Sequence, residues 1–180
     1  MLIASKLRVS NRAEYLLYMW QVEDLLRANN CDLDCLKTNY LSKFNVPQEQ
    51  REEMERWYAD LIGMMRAEGV VEHGHLQINK NVVIALTDLH NQLLASPKFP
   101  YYHAAYYKVL PYIVEMRGKG EKRELPELET CFEMLYGVML LRVQGKEISE
   151  GTQTAVKDVS ALLGMLSDYY RKDEEVPLEF

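Results

Sequence analysis

No stretch of this 180-residue chain reaches the run of about 18 consecutive apolar residues that a membrane-spanning helix needs. Cysteine is scarce: three residues, odd in number and without a regular spacing. A chain of this length buries roughly 70 % of the surface its unfolded form exposes, so no disulfide framework is required to hold a core. Glycine and proline number only 9 and 6, too few for the turn that an all-β chain needs about every 8–12 residues. There is no basic excess either. Against 21 Lys and Arg stand 27 Asp and Glu, a net charge of −6, which repels phosphate backbones and leaves only a local basic patch as a route to nucleic acid. The early cations Lys6, Arg8 and Arg12 are scattered, and the apolar run at 15–20 is shorter than the core of about 7–15 residues that a secretory signal carries. A cytoplasmic location is therefore expected, in keeping with unpatterned thiols. G-x-G-x-x-G, a phosphate-binding P-loop, G-x-S-x-G and H-E-x-x-H are all missing, which excludes the enzymes that wear those motifs and no others.

What is present is helical periodicity in a composition of 48 % hydrophobic and 27 % charged residues. Seven helices are predicted, at about residues 11–28, 32–41, 47–68, 79–95, 100–116, 126–143 and 150–171. In the first, Tyr15, Met19, Val22 and Leu26 share one face, while Leu16, Leu17 and Trp20 make the opposite side apolar too. Such a helix belongs in the middle of a structure. Pro111 lies inside the fifth pattern and cannot donate to the carbonyl of Tyr107, so a kink or break is expected there. Residues 70–78 (VVEHGHLQI) are the one segment that could pair as a short β-hairpin, turning at His73–Gly74. Residues 118–124 read as a charged linker, and 172–180 as a loose acidic tail unless Phe180 docks. The expectation is an all-α chain, a compact single-domain bundle spanning residues 1–180, with that one hairpin as the exception.

Three segments carry a likeness to a known family: AEYLLYMWQVEDLLRANN (13–30), GHLQINKNVVIALTDLH (74–90) and SPKFPYYHAAYYKVLPYIVE (96–115). The chain resembles, over nearly its whole length, an all-helical bacterial family catalogued as domain-of-unknown-function family 4924. The resemblance implies a small bacterial helical protein. It implies no activity, cofactor or catalytic residue.

The constellations that could carry chemistry are few. Cys31-Asp-Leu-Asp-Cys35 could bring two thiols to one helix face, but a structural zinc site wants four ligands and Cys131 has no neighbour in sequence. The plain reading is a helix cap beside two small thiols. Glu72, His73 and His75 around Gly74 could form a weak metal or pH-sensing site, though the Glu-x-x-His of di-iron bundles needs a second copy and unbroken helical phasing. His90 and His103 each read as satisfied core histidines, since no nucleophile is named beside them. Asp24 and Arg27, at i and i+3 on the stripe of Trp20, form either a structural ion pair or the polar handle of a pocket. Tyrosine is abundant at 12, five of them within residues 101–112. Such rings suit core edges, pockets and interfaces alike.

The leading expectation is thus a non-enzymatic helical interaction module, with homodimerisation as one form of it. The alternative is a small-molecule-binding or catalytic bundle whose aromatic-lined pocket uses Trp20, Asp24, Arg27, His90, Tyr106 and Tyr107. A winged-helix-like nucleic-acid binder is the third reading, and the acidic balance weighs against it. No metal and no cofactor is expected.

Overall fold

The computed structural model describes residues 2–119 and 125–180. Among them eight α-helices follow one another and no strand occurs: α1 (Leu2–Ser10), α2 (Arg12–Ala28), α3 (Leu33–Asn39), α4 (Gln48–Ala67), α5 (Gln77–Ala95), α6 (Pro100–Lys119), α7 (Glu127–Val143) and α8 (Glu150–Glu175). The protein is all-α. No helix among the described residues is long and apolar enough to cross a membrane. The chain packs as two compact units, residues 1–9 with 14–82, and residues 10–13 with 83–180.

In the first unit the expected stripe Tyr15, Met19, Val22 and Leu26 of α2 is buried, in one cluster with Leu36 of α3 and Leu61 and Met65 of α4. Each such side chain contributes about 1.5–3 kcal/mol by leaving water. α2 ends because Asn29 turns its amide back on the Leu25 carbonyl at 2.8 Å, and Asn30 and Cys31 take left-handed φ values of 56° and 48°. Asp32 then caps α3, its Oδ1 accepting the Cys35 N–H at 2.9 Å. α4 stops at Gly69, whose φ of 69° is open to a residue without Cβ, and Val70 closes the turn onto the Met65 carbonyl at 2.9 Å. α1 adds a helix that the periodicity did not announce. Its inward residues are Ala4, buried, and Leu7, half-buried against the same cluster, and two positions three apart are too few to mark a period.

The expected hairpin at 70–78 is not formed. Residues 70–76 are irregular, and α5 begins at Gln77. The physical reason is that α2 takes the backbone groups a two-stranded ladder would use. Glu23 accepts the Leu76 N–H at 2.9 Å, and Arg27 donates to the carbonyls of Val70 and Gly74.

The second unit is built on α6, α7 and α8, which pack against one another. Leu86, Leu89 and Leu93 of α5, Tyr102, Val109 and Ile113 of α6, Phe132 of α7 and Val159, Leu162 and Leu166 of α8 are buried. Ser149 opens α8 by accepting the Thr152 N–H, and Ser167 further along accepts the Ala13 N–H at 3.0 Å. α6 runs through Pro111 without ending there. Pro111 faces solvent, so the Tyr107 carbonyl it leaves unserved can turn to water instead of being stranded in the core. α8 extends to Glu175, past the expected end at 171; beyond it the Phe180 ring comes within 5.7 Å of Phe99 and the Leu178 N–H reaches Asp173 Oδ1 at 2.7 Å. Of the expected linker at 118–124, residues 120–124 lie outside the described residues.

Candidate functional site

Of the six residues singled out from the sequence, Trp20, Asp24 and Arg27 belong to the first unit and His90, Tyr106 and Tyr107 to the second. Each group has its own chemistry.

In the first unit the centre is a residue that the sequence places in the polar set of α2 without singling it out, Asp24 and Arg27 being preferred. Glu23 is 1 % exposed, and three donors converge on its carboxylate: Asn79 Nδ2 at 2.6 Å and Leu76 N at 2.9 Å on Oε1, and His75 Nδ1 at 2.6 Å on Oε2. His75 lies flat on the buried indole of Trp20, ring centroids 4.3 Å apart at 13°. One turn on, Arg27 pairs with Asp24 at 2.8 Å through Nη1 and spends Nη2 on the Val70 and Gly74 carbonyls. Gly74 supplies that carbonyl at a φ of 86°, where a side chain would be strained. Glu23 and Arg27 between them fasten the 70–76 segment and the start of α5 to α2. The signal that could have found Glu23 is its place one turn after Met19, beside Val22, on the face that becomes core.

In the second unit His90 is buried and meets the Tyr102 hydroxyl at 2.6 Å through Nδ1, while Nε2 lies 4.0 Å from Glu127 Oε2. The carboxylate beside Nε2 favours the tautomer with its proton there, leaving Nδ1 to accept from Tyr102. Burial holds the imidazole below its ordinary pKa, and the weaker pull of Glu127 opposes it. Tyr106 donates to the same Glu127 oxygen at 2.8 Å; desolvation, then that carboxylate, push its hydroxyl up to about 12. Cys131 is pushed up to about 12 by burial, which leaves it a poor nucleophile. His103 donates to the Leu93 carbonyl at 2.9 Å near the end of α5. Tyr107 turns outward, 66 % exposed.

The thiols of the Cys31–Cys35 motif do not share a helix face, because Cys31 sits in the left-handed turn before the cap, wholly buried. Among the described residues, no group of three or more His, Cys, Asp or Glu is placed to hold a metal.

Two surface features of the second unit complete the picture. Along α6, Pro100, Ala104, Tyr107, Pro111, Val114 and Gly118 are all exposed, and they recur at alternating steps of four and three residues. That is the spacing of a helix-pairing seam. Between α6, α7 and the start of α8 lies a groove of about 830 Å³, floored by Tyr112, Met116, Met134, Val138, Leu141 and Ala155.

An all-α protein emerges in which the buried polar groups lock segments together, while apolar surface is left open on α6 and beside it. The chain belongs to the family described as Domain of unknown function (DUF4924), which matches residues 1–176. No curated protein and no solved structure matches it.

Proposed function

We propose that this chain is a non-enzymatic helical interaction module that pairs with a second copy of itself through the exposed face of α6. The observation that carries the reading is the solvent-facing seam of Ala104, Tyr107, Pro111, Val114 and Gly118, in which small residues alternate with large ones. Tyr107 and Val114 are 66 % and 63 % exposed, a cost that burial against a partner helix would remove. Further support for a binding role is that Glu23, Arg27 and His90, the titratable groups best placed for chemistry, are engaged in holding segments together.

The reading takes the module to be bacterial and cytoplasmic, supported by the family resemblance and by three free cysteines, two of them buried. Sedimentation equilibrium tests the pairing. A dimer at micromolar concentration is expected, and Tyr107→Glu with Val114→Glu should return it to monomer with helical circular dichroism unchanged. A wild-type chain that stays monomeric throughout the micromolar range overturns the proposal.

A further inference from the structure

We infer that the groove between α6, α7 and α8 binds an elongated apolar molecule with one anionic end, an alkyl carboxylate. Its volume of about 830 Å³ falls in the range of small-molecule sites. It is long as well as large. The lining runs along α7 from Glu133 to Gln144, about 16 Å at the rise of a helix. Met116 and Met134 offer unbranched, pliable walls that follow a flexible chain better than β-branched residues would.

Gly137 keeps the floor open. It sits mid-helix, where glycine costs stability, and a Cβ built there meets nothing within 4 Å. The space it leaves belongs to the groove.

The charges at the two ends differ, and this selects the head group. Glu115 and Glu133 line one end. Lys146 lines the other, with Ser149, Gly151 and Thr152 in the first turn of α8. Ser149 accepts one first-turn N–H, that of Thr152, and its neighbours have no acceptor within the helix. A carboxylate at the Lys146 end gains a cation and amide donors, and Glu150 of that first turn does not line the groove; the other end offers no cation among its lining residues. One orientation therefore wins, and a cationic head is disfavoured beside Lys146. None of this depends on pairing through α6, since Tyr107 does not line the groove.

Isothermal titration of the full chain with dodecanoate and dodecylammonium, each below its micellar concentration, and with dodecanol below its solubility limit, tests the inference. Dodecanoate is expected to bind at one per chain and at least tenfold more tightly than dodecylammonium. Gly137→Leu should weaken dodecanoate at least tenfold while the thermal midpoint is held or raised, and Gly137→Ala gives a milder loss if the larger side chain disturbs folding. Lys146→Glu, an exposed change, should weaken dodecanoate and leave dodecanol as it was. Repeating the titration in Tyr107→Glu separates this site from self-association: binding should persist there. The absence of saturable dodecanoate binding, equal binding of the cation, or indifference to both Gly137→Leu and Lys146→Glu overturns the inference.

Discussion

Glu23 shows how much one side chain can organise. A carboxylate at 1 % exposure accepts from two side chains and a backbone amide, and two of those donors, on Leu76 and Asn79, are themselves in fully buried residues. Replacing it by leucine leaves both donors in an apolar setting. The expected loss is about 3 kcal/mol, read as a lowered urea midpoint, and an unchanged midpoint would refute the role given to Glu23. His90 makes a prediction about pH. Its folded-state pKa is held below the ordinary 6.5, so the unfolded chain takes up the proton first on acidification. Stability contributed by neutral His90 is present above pH 6.5 and drains away as the pH falls toward the folded-state value. Wild type should therefore lose more stability between about pH 7.5 and about pH 5 than His90→Gln does over the same interval. Equal losses in guanidinium titrations at the two pH values would rule this out. Asp24–Arg27 was readable as an i, i+3 pair, because that neighbourhood is local. The three donors around Glu23 were not, since they arrive from more than fifty residues further along the chain.

Among the elements, α6 is the most informative. Its buried side follows the sequence pattern through Tyr102, Val109 and Ile113, yet its exposed side carries a second apolar stripe that no polar residue interrupts. Pro111 belongs to that stripe. A proline inside a helix costs about 3 kcal/mol, of which its stiffening of the unfolded chain returns up to about 1. Pro111→Ala should accordingly raise stability by about 2 kcal/mol, seen as a higher midpoint in thermal unfolding, and a lower midpoint would mean that proline shapes α6 in a way its packing needs. The 70–76 segment teaches the opposite lesson. Its His73–Gly74 turn fits a hairpin locally, but a two-stranded ribbon is marginal alone, and side chains from α2 outcompete it for the same backbone groups.

At the scale of the whole molecule, the size of the seam limits the strength of pairing. From Pro100 to Gly118 the stripe is about 27 Å long and about one helix, roughly 10 Å, wide, well under the ~800 Å² per partner of a standard interface. Micromolar rather than nanomolar association follows, and each chain's net charge of −6 adds repulsion that salt would screen. Composition and periodicity by themselves determined that the chain is mainly helical, where most of its helices lie, and which faces enter a core, because a 3.6-residue repeat and the choice of caps are local properties. Tertiary structure alone decided that Glu23 rather than Asp24 is the buried hub, that residues 70–76 are not a hairpin, and that a groove opens beside Gly137. Those outcomes turn on which distant groups compete for the same hydrogen bonds and the same space, and a linear pattern does not encode that competition.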